Sequence, residues 1–187
     1  MSNGKFISAI NDRLSQVASK YTGSRVFGLA QSISRPVSEG LQTMPAIVSQ
    51  DGEEKYVGLD DSAPLTIYHR ANSISVSDKT NSGYGDARSF KVYLYSNVMI
   101  VFMDRAITRM LPDEFILFME ANIQDQLLIE NYRSVIVRIQ NIILNSAQVF
   151  NSEYQNVSFR MSPRFSLFAI NYQIESVFDK NCFATCP

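Results

Sequence analysis

A single histidine, two cysteines, almost no net charge and no apolar run of membrane-spanning length mark this chain, and each shortage excludes a function. A closed zinc site takes four ligands, so Cys182 and Cys186 would need two more, and the lone histidine supplies only one. No metal or other cofactor is expected, and the two thiols are expected to stay reduced. Seventeen basic and 18 acidic residues leave a formal charge of -1, so no global field favours nucleic acid, an anionic membrane or an acidic substrate. A membrane helix needs roughly 20 apolar residues, whereas even the run from Val98 to Met103 stops at Asp104 and Arg105. The first residues lack the apolar middle of a secretion signal, being broken by Asn11, Asp12 and Arg13, which points to synthesis in a cytoplasm.

What the chain does have is material for a core. Of its 187 residues 45% are hydrophobic, with 12 Phe and 9 Tyr but no Trp, a composition and length that suit one folded α+β domain spanning 1–187. Phe6, Ile7, Ile10, Leu14, Val17 and Ala18 recur at helical spacing and predict an amphipathic helix within 1–23. Residues 25–33 read as a strand that Arg35-Pro36 breaks, and 43–49 with 55–59 as a hairpin turning at Asp51-Gly52. Residues 65–70 form a further strand. The polar stretch 71–89 reads as a long loop, a natural partner-contacting arm.

Beyond it, residues 90–103 are too apolar for a strand exposed on one face and belong in the centre of a mixed, mainly antiparallel sheet. Leu111-Pro112-Asp113-Glu114 starts a helix that packs on the sheet through Phe115, Ile116, Met119 and Ile123. Residues 134–144 are β-rich, and 145–150 suit a single helical turn. Residues 165–178 alternate with apolar groups on both faces, so this strand is covered either within the monomer or by another chain. Residues 179–187 form a tail, and there is no internal repeat.

The residues richest in chemistry, and the candidate partner-contact residues of the loop, are Tyr68, His69 and Arg70, with Tyr84, Gly85 and Asp86 beyond the polar stretch. A hydrolase-like enzyme would use His69 as general base, oriented by Asp86, with Arg70 holding an anion and the loop closing as a lid. Strand alternation sends His69 and Arg70 to opposite faces, and no nucleophile motif, phosphate loop or metal spacing accompanies them. The structural alternatives are a strand-end histidine bonded to a carbonyl or to Asp86, an arginine paired with an acid, and a turn at Gly85 anchored by Tyr84. Arg105 and Arg109 have no basic run interleaved with aromatics around them, so they suit a solvated face, not nucleic-acid binding.

Five segments in order carry a resemblance: Thr43-Met44-Pro45-Ala46-Ile47-Val48 with Asp51-Gly52, Leu65-Thr66-Ile67-Tyr68-His69-Arg70, Tyr84-Gly85-Asp86, Val98-Met99-Ile100-Val101-Phe102, and Phe168-Ala169-Ile170-Asn171-Tyr172-Gln173-Ile174-Glu175 running on towards Cys182. Spread over 43–186, they resemble tail-completion or head-to-tail connector proteins of tailed phages that infect Bacteroidota, the crAss-like group included. The resemblance implies a non-enzymatic virion protein made in the bacterial host's cytoplasm. Its subunits would close into a ring in the neck or upper tail, contacting the portal or adjacent neck and tail proteins. Double-stranded DNA would pass through the lumen without sequence-specific binding, as a near-neutral ring allows. It also implies a small α+β core whose sheet edges and long loops are shared between subunits; by their own loop character, 71–89 and the N-terminal segment within 1–23 are then the natural reaching elements. Another kind of virion interaction protein is the alternative.

Overall fold

The structure, a computed structural model, describes residues 3–38, 40–49, 51–81, 88–123 and 134–179. Its class is the expected one, α+β with an N-terminal helix on a mixed, mainly antiparallel sheet. Helix α1 (Asn3–Ala18) buries Phe6, Ile7, Ile10, Leu14, Val17 and Ala18, the six positions its periodicity predicts. Phe6 meets Tyr95 edge-on at 5.4 Å between ring centroids. Each of the five larger side chains contributes about 1.5–3 kcal/mol through burial, so residues 3–18 are part of the core and not a reaching arm.

The main sheet has the order β1-β5-β6-β8-β7, formed by β1 (Arg25–Leu29), β5 (Leu65–Asn81), β6 (Arg88–Asp104), β8 (Phe165–Asp179) and β7 (Ser134–Ile143). Only the β1–β5 pairing is parallel. The apolar run in β6 lies at the centre of the sheet, as its composition requires. Strand β8 is covered on both sides by its own chain. Phe168, Ile170, Tyr172 and Ile174 join a core with α1 and with Phe115, Ile116, Met119 and Ile123 of α3 (Pro112–Ile123). Phe165, Leu167 and Ala169 join a second core on the opposite face. There α4 (Ser146–Glu153) contributes Val149. This helix is longer than the single turn expected, because Asn145 caps it by accepting from the Gln148 N–H at 3.1 Å.

A smaller sheet, β2-β3-β4, consists of β2 (Gln31–Val37), β3 (Gly40–Val48) and β4 (Glu54–Tyr56). The strand expected over 25–33 is thus two strands in two sheets, which part at Ala30, whose N–H bonds the His69 carbonyl at 2.6 Å. Nor does Pro36 break β2. Thr43 exchanges backbone bonds with Gln155, and the Pro45 carbonyl accepts from Val57, so the odd-numbered residues of β3 turn their polar groups away from β2. Pro36 lies opposite Leu41, another of that set, so its nitrogen faces outward and no ladder bond is lost.

The Asp51-Gly52 turn links β3 to β4 as expected, with Gly52 at φ +86 and its N–H on the Ser49 carbonyl at 3.1 Å. A Cβ added there would touch nothing within 4 Å, so Gly52→Ala isolates backbone strain. It is expected to lower stability by about 1 kcal/mol in chemical denaturation.

The loop expected over 71–89 is corrected by the structure. Residues 71–81 and 88–89 are the outer arms of the β5–β6 hairpin, paired as Ile74 with Tyr95 and Val76 with Tyr93. The many serines suggested a loop, but they alternate with Ile74 and Val76, and the aromatic run of β6 supplies a partner surface that stabilises such cross-strand pairs. Residues 82–87, with Tyr84, Gly85 and Asp86, lie outside the described residues, as does the tail 180–187 with both cysteines.

Candidate functional site

Tyr68, His69 and Arg70 lie in the middle of β5, so alternation sends the imidazole to one face and its two neighbours to the other. His69 has no exposed surface. Its Nε2 lies 2.8 Å from the Asn11 side-chain oxygen and its Nδ1 2.8 Å from the Tyr172 hydroxyl. The amide group of Asn11 donates to the Phe27 carbonyl at 2.9 Å, leaving its oxygen to accept. Nε2 therefore carries the proton, and Nδ1 accepts from the Tyr172 O–H. One continuous run of donors and acceptors ties β8, β5, α1 and β1 together.

With both nitrogens occupied, His69 has no valence free for Asp86 or a substrate. Burial pushes its pKa down from 6.5 to about 3, because a charged ring would lose its hydration without a compensating anion. Burial likewise raises the pKa of Tyr172 far above the ordinary tyrosine range. At neutral pH both groups are uncharged. This is the arrangement of a strut and not of a general base. The strand-end histidine expected from the sequence is corrected in position and in partners.

On the opposite face Arg70 reaches the Glu153 carboxylate at 2.7 Å, as the acid-paired alternative anticipated, and Tyr68 lies 3.3 Å from its other oxygen. Tyr154 completes the group by donating to the Val57 carbonyl at 3.0 Å. Burial raises the pKa of Glu153, with Arg70 and Tyr68 pulling it back. Burial also raises Tyr68 well above its ordinary range. The cluster joins the end of α4 to β5. Glu153, Tyr172 and Asn11 went unrecognised in the sequence, since each lies more than 50 positions from its partner and has no local signature.

Two further polar pairs stabilise the same scaffold. Asn3 and Asn97 exchange side-chain hydrogen bonds at 2.7 and 3.2 Å, fixing the start of α1 to β6. Asp104 is fully buried, caps α2 (Arg105–Thr108) through the Ala106 N–H and meets Arg164 at 2.7 Å. Among the described residues no three of His, Cys, Asp and Glu gather into a metal-binding group, and no helix is long and apolar enough to cross a membrane.

Tyr68 and His69, expected at a partner contact, are buried with at most 1% exposed, because the sheet is covered on both faces at this height, and the exposed surface lies further along β5. Every residue from Ala71 to Asp78 is exposed, including Ile74 at 56% and Val76 at 54%. Strand β1 ends at Leu29, opposite His69, so among the described residues no strand pairs with the outer edge of β5 beyond that point. Strand β2 is almost wholly exposed as well, with Val37 and Leu41 uncovered near the β2–β3 turn. A long bare strand with alternate apolar side chains is a surface for protein contact. No protein-family model and no curated protein matches the chain.

Proposed function

We propose that the chain is a structural virion protein, one subunit of a closed ring in the neck or upper tail of a tailed phage. The ring joins portal to tail, and double-stranded DNA passes through its lumen. The observation that carries this reading is the outer half of β5, exposed from Ala71 to Asp78, with no strand among the described residues paired to its outer edge. Proteins that work alone blunt such edges, whereas ring subunits need them for contact with a neighbour. The near-neutral charge suits a lumen through which DNA slides without being held by counterion release.

The hydrolase alternative loses its general base, because His69 is buried with both nitrogens bonded. A different virion interaction protein would use the same surface without ring closure. The test is the mass of the purified chain in solution, alone and after mixing with the portal or the neighbouring neck protein of its phage. The chain is expected to enter a closed ring of defined subunit number on mixing. A chain indifferent to every virion component overturns the proposal.

A further inference from the structure

We infer that the subunits join sheet to sheet, with the outer half of β5 in one copy pairing antiparallel with the first half of β7 in the next. The inference rests on the ring reading and adds which strands meet and in what alignment. It begins with the two edges of the main sheet. With the order β1-β5-β6-β8-β7, one side ends in β7. The other ends in β1 at the height of Thr66, Ile67 and His69 and, among the described residues, in β5 itself beyond.

The pairings place the two open stretches at the same height. Ile74 lies beside Tyr95, Tyr95 beside Ile174 and Ile174 beside Val137. In the next such row Val76, Tyr93, Ser176 and Val135 follow one another. A second copy set beside the first without sliding along the strands therefore brings its Val137 next to Ile74 and its Val135 next to Val76. Both rows continue on the same face.

Strand direction fits as well. β5 is antiparallel to β6, β6 to β8 and β8 to β7, so β7 of a copy brought up by rotation about an axis along the strands runs antiparallel to β5. The alternation passes unbroken from subunit to subunit, and an offset-free heterologous contact of this kind closes into a ring when the rotation divides a full turn.

Two bulges mark where the contact ends. β5 shifts register between Ala71 and Ser73, opposite Asn97, and β7 between Ile139 and Asn141, opposite Tyr172, while Asn97 and Tyr172 face each other. Both irregularities thus lie in one row across the sheet. On one side of that row β1 already occupies the edge of β5, and the bend that a bulge imposes puts the rest of β7 on a different line. On the other side no strand among the described residues pairs with either outer edge. Strand β2 is a poorer partner, because the outward nitrogen of Pro36 interrupts its edge. Self-pairing of β5 about Ser75 would make a two-fold dimer and leave β7 bare, so it cannot close the ring.

The test uses the full chain carrying Cys182→Ser and Cys186→Ser, with Ser75→Cys in one batch and Ile136→Cys in another. These positions lie in one row, Ser75 beside Leu94, Leu94 beside Glu175 and Glu175 beside Ile136. In a β5–β7 contact they come within about 5 Å of each other between copies. After mixing and assembly on the portal or neighbouring neck protein, oxidation is expected to link the two batches to each other and neither batch to itself. Ile74→Lys combined with Val76→Lys, at sites already more than half exposed, is expected to cut the assembled fraction at least ten-fold, while the melting temperature falls by only a few degrees through loss of the pairs with Tyr95 and Tyr93. Normal assembly of the lysine variant without the cross-link overturns the inference and leaves the ring reading standing. Cross-linking of Ser75→Cys to itself overturns it in favour of the two-fold dimer. A chain that stays single under every condition overturns both.

Discussion

Replacing His69 by alanine is expected to lower stability by about 4 kcal/mol, the sum of a cavity and two stranded polar groups. The imidazole is fully buried between α1 and the sheet, so its removal leaves the Tyr172 O–H without an acceptor and the Asn11 carbonyl without a donor. For a chain of this size the melting temperature should fall by about 10 °C. His69→Phe refills most of the volume but restores neither bond, and is expected to recover less than half of the loss. The pH dependence separates packing from titration. The folded state holds the His69 pKa at about 3, against 6.5 unfolded, so between those values the unfolded chain binds the extra proton. Stability from this group is complete above 6.5 and falls as the pH drops, by about 1.4 kcal/mol per unit within the window. Urea melts at successive pH values should show that slope in the difference between the parent and His69→Phe, in which the other titrating groups cancel. Equal slopes in both would show that the ring is not held neutral by burial.

The same histidine shows where sequence reading succeeds and where it stops. Its orientation away from Arg70 followed from strand alternation alone, and the pairing of Arg70 with an acid followed from the cost of leaving a guanidinium unpaired. Its partners could not be read. Asn11 belongs to a helix and Tyr172 to a strand more than 100 residues away, and which strand lies beside which is set by the whole sheet. Local rules therefore located α1, α3, β6 and the Asp51-Gly52 turn, whose signals are contained within a few residues. They failed where a neighbouring strand decides, as it does for Ser73 to Ser77. Those serines alternate with Ile74 and Val76 in a strand pattern, yet their composition is that of a loop. Only the long partner strand β6 resolves the choice. Pro36 misled for the same reason, since a proline breaks a strand only when its nitrogen faces a neighbour, and here it faces outward. The segment 71–89 proposed for contact was read as a loop, whereas residues 71–81 and 88–89 are arms of a hairpin.

Arg70→Ala is expected to remove about 3 kcal/mol at pH 7, more than a surface ion pair could account for. The asymmetry of the pair is the reason. The Glu153 side chain is 1% exposed, whereas that of Arg70 is 30% exposed, so losing the arginine strands a carboxylate in the interior while losing the glutamate leaves a cation able to turn to water. Glu153→Gln should therefore be milder than Arg70→Ala, although both delete the same contact. The pH sign is opposite to that of His69. Burial already raises the Glu153 pKa with Arg70 present, and without the arginine it rises further. A carboxyl whose folded pKa lies above its unfolded value of 4.5 binds a proton more readily when folded, so its penalty shrinks as the pH falls towards that value. The difference in stability between parent and Arg70→Ala, in which the common His69 contribution cancels, should accordingly narrow from pH 8 to pH 5. A difference constant over that range would mean that Tyr68 and Ser152, whose hydroxyls also lower the Glu153 pKa, hold the carboxylate ionised without help from Arg70, and that the arginine contributes by packing alone.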